Sequence, residues 1–188
     1  REDLQPVFSF NQRGAYTKLC QLTQEQLALG VICASAGNHA QGLALAASSM
    51  GIKATIVMPR TTPDIKVSSV RRHGGKVVLH GDSFDEALAQ ALKLQARDNL
   101  TFVHPYDDPD VIAGQGTVGM EILRQQSRDL DAIFIPVGGG GLAAGVADYV
   151  KYVRPDVKVI AVEPEDAACL KAALEKKRRV TLPEVGLF

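Results

Sequence analysis

The sequence predicts an α/β protein built from parallel sheets. From residue 31 onward, short apolar runs alternate with longer amphipathic segments, which is the order of strands and helices in α/β folds. The two clearest runs, Ala132 to Val137 and Val157 to Val162, are nearly free of polar side chains. Continuous apolar runs of this kind indicate strands that are buried on both faces, as in a parallel sheet with helices on both faces.

Six segments are predicted as strands because each is short and dominated by apolar or β-branched residues. They are Val31 to Cys33, Ala54 to Met58, Lys76 to His80, Thr101 to Val103, Ala132 to Val137 and Val157 to Val162.

Five helices are predicted between and after these strands. Two of them have clear start signals, in Thr62-Pro63-Asp64 and in Ser83 followed by Glu86. The five are Asn38 to Met50, Pro63 to His73, Ser83 to Asp98, Val111 to Ser127 and Leu142 to Arg154. Ligands of such folds bind beyond the carboxyl ends of the strands, so the loops that lead into helices are the places to search for chemistry.

Composition and charge exclude two classes of partner. The 188 residues carry 21 basic and 21 acidic side chains, so the chain lacks the basic excess that attracts nucleic acid or an anionic membrane. The longest uncharged run, Ala132 to Ala147, has 16 residues and is too short to span a bilayer. We therefore expect no nucleic-acid partner and no membrane partner.

The three cysteines, Cys20, Cys33 and Cys169, are odd in number and form no CxxC pair. This pattern argues against a zinc site or a disulfide framework. It predicts buried free thiols in a reducing, cytoplasmic setting.

One glycine motif is misleading. Gly114-Gln115-Gly116-Thr117-Val118-Gly119 fits the GxGxxG pattern, but it lies inside a predicted helix and does not follow a strand. We expect these glycines to serve helix packing.

A second glycine loop has the context of an anion site. Gly138, Gly139, Gly140 and Gly141 follow a predicted strand directly, and Leu142 opens the next helix. A backbone without Cβ atoms at a helix N-terminus can fold around a phosphate. Gly138, Gly140 and Ala143, with Glu163 ending the next strand, also match a dinucleotide fingerprint. The loop alone leaves a dinucleotide and a small phosphorylated cofactor open.

A polar loop follows the first predicted strand. Its residues, Ser35-Ala36-Gly37-Asn38-His39, lie at the start of a predicted helix. Free backbone N–H groups and short polar side chains at that place can hold a carboxylate, such as that of an amino acid. Taken alone, His39 is expected to be a packed helical residue.

A further loop, Ser9-Phe10-x-x-Arg13-Gly14-Ala15-Tyr16, completes a set of three motifs. With Ala34 to Gly42 and the tetraglycine loop in the same order, the chain resembles the fold-type II enzymes that use pyridoxal phosphate. Within them it is most similar to the biosynthetic threonine dehydratases. Arg1-Glu2-Asp3 and the segment Glu163 to Lys171 are similar as well, so the resemblance extends over essentially the whole chain.

The resemblance implies a two-lobed architecture like that of the tryptophan synthase β subunit, truncated in this chain. Residues 1–32 and 113–188 would belong to a larger, incomplete lobe that binds the cofactor, and residues 33–112 to a smaller lobe. A homo-oligomer is expected for the full-length protein. No racemase-type metal site is expected near Glu163, because Cys169 stands where that site has an acidic residue.

The resemblance also implies roles for the loops and the reaction. Asn38 would bind the ring hydroxyl of pyridoxal 5'-phosphate, and Gly138 to Leu142 its phosphate. Ser35, Ala36, Gly37, Asn38 and His39 would bind the substrate carboxylate. The reaction would remove water and then ammonia from L-threonine and give 2-oxobutanoate for isoleucine biosynthesis, with the cofactor as electron sink.

The Schiff-base lysine of the family pattern SFKxRGA is replaced by Asn11. An amide can act neither as nucleophile nor as base, so the chain as written is predicted to be inactive or nearly so. Lys18 is expected to be solvated and cannot replace that lysine. The alternatives are an L-serine dehydratase, a serine-racemase-like enzyme, which Ala36 disfavours, and a non-catalytic protein that binds pyridoxal phosphate or an amino acid. A nicotinamide-dependent oxidoreductase has only the spacing between the glycines and Glu163 in its favour.

Overall fold

A computed structural model describes residues 1–126 and 130–182. The chain forms two compact units, the first from Arg1 to Gln115 and the second from Gly116 onward.

The first unit is built on a four-stranded parallel sheet with the strand order β3-β2-β1-β4. Its strands are β1 (Val31–Ala34), β2 (Ala54–Met58), β3 (Lys76–Leu79) and β4 (Thr101–Phe102). Because β1 lies between β2 and β4, the loops that follow these three strands leave the same edge of the sheet.

Six helices begin in this unit. They are α1 (Asn11–Gln21), α2 (Gln24–Leu29), α3 (Asn38–Ser49), α4 (Asp64–Arg72), α5 (Phe84–Asp98) and α6 (Pro109–Gln125). The division between the two units falls within α6, after Gln115.

Both faces of this sheet are covered, as the apolar runs predict. Successive side chains of a strand point to opposite faces. Val31 and Cys33 of β1 belong to one buried cluster with residues of α1, α3 and α4, whereas Ile32 and Ala34 belong to another with α5. The predicted parallel sheet with helices on both faces is confirmed for this unit.

The second unit contains a parallel pair of strands, β5 (Ala132–Pro136) and β6 (Lys158–Val162). Its helices are the end of α6, α7 (Gly141–Val153) and α8 (Cys169–Lys176). Ile133 and Ile135 of β5 pack with Val146 and Val150 of α7 in a third buried cluster, which Val118 and Ile122 of α6 complete.

The six predicted strands and five predicted helices are confirmed, with ends that move by one or two residues. The predicted helix end at Ser127 lies outside the described residues. Helices α1, α2 and α8 are additions to the prediction. The start of α2 has a local signal, since Thr23 and Gln26 form a capping box, but the helix has only six residues.

The GxGxxG motif serves helix packing, as predicted. Gly114, Gly116 and Gly119 all lie within α6. A Cβ on Gly116 would come within 2.9 Å of the carbonyl oxygen of Gly145, and one on Gly119 within 3.2 Å of side-chain atoms of Val146 and Val150. The missing side chains therefore let α6 and α7 approach closely.

All three cysteines are free, but the prediction that all are buried is wrong. Cys33 is buried in β1, whereas Cys20 is exposed near the end of α1 and Cys169 is half-buried. In the described part of the chain, no helix is long and apolar enough to cross a membrane. The lobe boundaries expected for a complete domain, at 1–32, 33–112 and 113–188, stay a prediction.

Candidate functional site

The tetraglycine loop joins β5 to α7 in the second unit. Gly140 precedes the helix with a φ of 91°, a left-handed backbone conformation that favours glycine. Gly140, the residue that precedes α7, has no side chain to cap the helix, and a Cβ built on Gly138 or Gly140 would meet no atom within 4 Å. The first N–H groups of α7 therefore lie beside open space, which fits a phosphate group.

The polar loop after β1 leads into α3 in the first unit. The N–H of Gly37 donates to Oγ of Ser35 at 3.2 Å, and Asn38, the first residue of α3, is exposed. Gly37, the residue that precedes α3, has no side chain to cap the helix. Its first N–H groups can therefore bind an anion, and a carboxylate has the charge and size to fit there.

His39 is a buried residue that ties two loops together. His39 is 4% exposed, and Nε2 of its ring lies 3.1 Å from the carbonyl oxygen of Val103, just after β4. Burial lowers the pKa of His39 to about 4, although the hydrogen bond to Val103 acts in the opposite direction. The neutral ring therefore donates from Nε2 to the carbonyl oxygen of Val103.

Asn11 is the first residue of α1 and is half-buried. Its backbone N–H lies 3.4 Å from Oγ of Ser9, and its side-chain Nδ2 lies 3.5 Å from the same oxygen. A Cβ on Gly42 of α3 would lie 2.8 Å from the carbonyl carbon of Asn11. Asn11 therefore packs one turn along α3 from the polar loop, within the first unit.

The structure corrects the expectation that Lys18 is solvated. Its Nζ lies 2.9 Å from Oδ2 of both Asp108 and Asp110, and its side chain is 17% exposed. Burial lowers the pKa of Lys18, but the two carboxylates outweigh that effect, so its pKa is raised. A charged, doubly paired amine is a poor nucleophile, and Lys18 cannot serve in place of the lysine missing at position 11.

Glu163 caps a helix. Its Oε1 accepts a hydrogen bond from the N–H of Leu170 at 2.8 Å, and its Oε2 accepts one from the N–H of Lys171 at 3.0 Å. Both carboxylate oxygens are therefore used at the start of α8. This removes the main support for a ribose contact and with it the dinucleotide interpretation. In the described ranges, no group of three His, Cys, Asp or Glu side chains could hold a metal ion.

The predicted site residues divide between the two units. Asn11 and the loop Ser35 to His39 lie together in the first unit, and Gly138 to Leu142 lie in the second. The described donors fit the anionic groups of pyridoxal phosphate and of an amino acid. Position 11 does not fit, because an amide cannot form the covalent bond that a lysine forms.

Sequence reasoning missed the residues that support these loops. Gly42 and Gln115 lie against the first turn of α1, and Val103 accepts from His39. Gly42 lies in the motif Ala34 to Gly42, and Gln115 lies in the GxGxxG motif. The spacing within these motifs does not indicate a contact with α1, which is far away in sequence.

Comparison with known proteins adds the family. A family model described as pyridoxal-phosphate dependent enzyme matches residues 1–186. The chain is 59% identical over 191 residues to a biosynthetic L-threonine dehydratase of Burkholderia multivorans, covering 38% of that protein. It is 60% identical to the biosynthetic L-threonine dehydratase of Escherichia coli, covering 36%. All of this chain is matched in both cases, so it spans little more than a third of the length of these curated relatives.

Solved structures show the same fold. The processed form of threonine deaminase isoform 2 from Solanum lycopersicum superposes with a TM-score of 0.96 at 54% identity, over 99% of this chain and 54% of that one. Maize serine racemase superposes with a TM-score of 0.96 at 35% identity, over 99% of this chain and 56% of the racemase. The predicted fold class, an incomplete fold-type II α/β domain, is therefore confirmed. The chain belongs to the family of pyridoxal-phosphate dependent enzymes.

Proposed function

We propose that this chain is part of the catalytic domain of a pyridoxal-phosphate-dependent L-threonine dehydratase, and that Asn11 leaves it inactive or nearly so. The reaction is the loss of water and then ammonia from L-threonine to give 2-oxobutanoate, which serves isoleucine biosynthesis. The observation that carries this proposal is the identity of about 60% along the whole chain to proteins named L-threonine dehydratase.

Each proposed binding role follows from donors that the loops offer. Gly138, Gly139, Gly140, Gly141 and Leu142 would hold the cofactor phosphate, because Gly140 has no side chain to occupy the N–H groups at the start of α7. Asn38 would bind the ring hydroxyl through its exposed amide. The N–H groups of the segment Ser35 to His39, together with the hydroxyl of Ser35, would hold the substrate carboxylate. When bound, the cofactor supplies the electron sink for charge at the α-carbon.

The residue at position 11 determines whether the site can catalyse the reaction. In the family pattern the lysine at this position binds the cofactor covalently and transfers the proton of the α-carbon. The side-chain amide of Asn11 can do neither and lies near Oγ of Ser9 instead. Binding of cofactor and substrate is therefore expected to persist while proton transfer fails.

A threonine substrate is favoured over serine racemisation by two observations. Identity to the solved tomato threonine deaminase is 54%, against 35% for the solved maize serine racemase. Ala36, at the position where the racemases carry the serine that acts as second base, is half-buried and packs against the first core cluster. An alanine there has no group that could exchange a proton, so Ala36 cannot serve as the base for the second face of the substrate.

Asn11 itself favours a second candidate function, that of a non-catalytic protein that binds pyridoxal phosphate or an amino acid. Both helices begin after a glycine that has no capping side chain, even though the lysine is absent. Under this alternative, Asn11→Lys would restore a covalent bond to the cofactor without product formation.

The identity of the product distinguishes these proposals. The full-length protein with Asn11→Lys, loaded with pyridoxal phosphate, is expected to convert L-threonine to 2-oxobutanoate. L-Serine supplied in parallel would yield pyruvate if the enzyme is a serine dehydratase and D-serine if it is a racemase. Faster pyruvate than 2-oxobutanoate formation, or D-serine as the main product, would contradict the threonine assignment.

The phosphate role of the tetraglycine loop predicts different effects at two glycines. Gly138 has open space at its Cβ position and no left-handed φ, so Gly138→Ala should leave the free energy of unfolding within about 0.5 kcal/mol of the parent. Gly140 has a φ of 91°, so Gly140→Ala should cost about 1 kcal/mol.

Both variants should weaken binding of pyridoxal phosphate, because the added methyl group enters the space proposed for the phosphate. The measurement is a titration followed by fluorescence, with pyridoxal, which lacks the phosphate, as the matched ligand. Equal loss of affinity for pyridoxal and pyridoxal phosphate, or no loss for either, would contradict the phosphate role.

We also propose a cytoplasmic location and a homo-oligomeric full-length protein. The three free cysteines support a reducing compartment. The compartment differs among relatives, since those from Solanum lycopersicum and Schizosaccharomyces pombe are named chloroplastic and mitochondrial. Fractionation of the source cells and the mass of the purified full-length protein by light scattering test the two proposals.

A further inference from the structure

The glycine motif in α6 also brings that helix against α1. A Cβ on Gly114 would lie 2.6 Å from the carbonyl oxygen of Arg13 and 2.6 Å from Cα of Gly14. In return, a Cβ on Gly14 would lie 2.8 Å from the carbonyl oxygen of Val111. The two helices therefore cross with their backbones in contact at the first turn of α1, which is the turn that begins with Asn11.

Gln115 uses this close crossing to bind the backbone of α1. Gln115 is 1% exposed, and its Oε1 accepts a hydrogen bond from the N–H of Gly14 at 3.2 Å. In a regular helix this N–H would donate to the carbonyl of Phe10. Here the N–H of Arg13 donates to that carbonyl at 3.0 Å, and Gly14 is served by a side chain 101 residues away in sequence.

We propose that Gln115 is a positioning residue for position 11: it fixes the first turn of α1 and thereby the direction in which the side chain at position 11 leaves the helix. This inference rests on the proposed function, because position 11 matters for turnover only in a cofactor-dependent enzyme. Gln115 itself is not a catalytic residue, since its contact is with the Gly14 backbone.

The contact requires an oxygen acceptor on a side chain that is long enough to reach from α6 to the N–H of Gly14. The N–H of Gly14 is buried, and a buried donor without a partner is costly, so the turn would rearrange to find another acceptor. The Nε2 of Gln115 would lie 2.5 Å from a Cβ on Gly14, so a glycine at position 14 is also needed for the amide to fit.

Lys18 provides an independent tie between the same two elements and therefore a matched control. It joins the third turn of α1 to Asp108 and Asp110 at the start of α6. Lys18→Met would weaken the contact between the helices without touching the first turn of α1. If Gln115 only stabilised the packing of α6 against α1, Gln115→Met would have the same effects as Lys18→Met.

The experiment uses the full-length protein with Asn11→Lys as parent and adds Gln115→Met, Gln115→Glu or Lys18→Met. The readout is the rate of covalent capture of pyridoxal phosphate at position 11, measured by borohydride trapping and mass analysis of the peptide. Gln115→Met is expected to slow capture about tenfold, the effect of one lost buried hydrogen bond. Gln115→Glu, which keeps an oxygen acceptor, should recover part of that loss, and Lys18→Met should change the rate less than about twofold at a comparable loss of Tm.

A second measurement needs no lysine at position 11. In the protein with Asn11, Gln115→Met should speed hydrogen exchange of the Gly14 amide about tenfold relative to Lys18→Met.

The outcomes separate the two proposals. If the Asn11→Lys parent captures no cofactor, the proposed function fails, and amide exchange still tests the contact. If the parent captures cofactor but Gln115→Met captures it as fast as Lys18→Met does, or if Gly14 exchange is unchanged, the positioning role is overturned.

Discussion

At the scale of the residue, His39 shows how a motif position can have two roles. The sequence places it in a loop suited to a carboxylate, and also predicts that its ring is packed. In the structure the ring is buried with Nε2 near Val103, while the backbone N–H lies in the first turn of α3. The packing could be predicted because a helix start after a buried strand lies against the sheet. Its partner Val103 could not be predicted, because the pairing of β1 with β4 cannot be inferred from the sequence of either strand.

The pKa of His39 predicts an acid-sensitive fold. Burial lowers its pKa from 6.5 to about 4, so below pH 6.5 the unfolded chain binds a proton that the folded chain excludes. Stability is therefore full above pH 6.5 and is lost as the pH falls toward 4, by about 2 kcal/mol at pH 4.5.

Urea unfolding at pH 7 and pH 4.5 measures this effect. His39→Gln should make the free energy of unfolding less dependent on pH over that interval, although it lowers stability at pH 7. An unchanged slope in His39→Gln would show that another group causes the acid sensitivity.

At the scale of the element, helix starts divide into those set locally and those set by distant residues. Ser83 and Glu86 form a capping box at the start of α5, and this start is predicted from four consecutive residues. The first turn of α1 is served by Gln115 and that of α8 by Glu163. Gln115 lies 101 residues from Gly14, and Glu163 lies seven residues before Leu170, so neither cap falls within the four residues of a capping-box pattern.

The cap on α8 predicts the effect of removing one carboxylate. Glu163→Gln leaves one oxygen for two N–H donors, and it removes the charge that a helix N-terminus favours, so α8 should lose about 1 kcal/mol of local stability. Hydrogen exchange at the Leu170 and Lys171 amides measures that loss directly.

Glu165→Gln is the matched control, since Glu165 lies two residues from Glu163 in a short 3-10 turn. Exchange at Leu170 and Lys171 should stay at the parent rate in this control. Equal acceleration in both variants would mean that general surface charge, and not the cap, stabilises α8.

At the scale of the whole molecule, the sequence predicts the alternation of strands and helices, but the order β3-β2-β1-β4 follows from packing between segments far apart in sequence. The second unit shows an exposed apolar face. Among the described residues, β5 and β6 pair only with each other, and Phe134 is 68% exposed between the buried residues Ile133 and Ile135. Unpaired strand edges beside exposed apolar side chains favour association between chains.

This face predicts self-association of the isolated 188-residue chain. Phe134→Thr, which keeps the preference for a strand, should lower the weight-average mass measured by sedimentation equilibrium. Tyr152→Thr is the control, because Tyr152 is an exposed aromatic residue on α7, 89% exposed, and lies outside the strand pair. A monodisperse monomer in the parent, or equal effects of both variants, would contradict the prediction.

Under the proposed function, one side chain separates this protein from an active threonine dehydratase. The most direct test compares two full-length proteins that differ only at position 11. The measurement is the rate of 2-oxobutanoate release from L-threonine with saturating pyridoxal phosphate. We expect Asn11→Lys to raise the rate by about 10³-fold or more, because nucleophile and base are restored together. A folded Asn11→Lys protein that binds the cofactor and releases no more 2-oxobutanoate than the protein with Asn11 would contradict it.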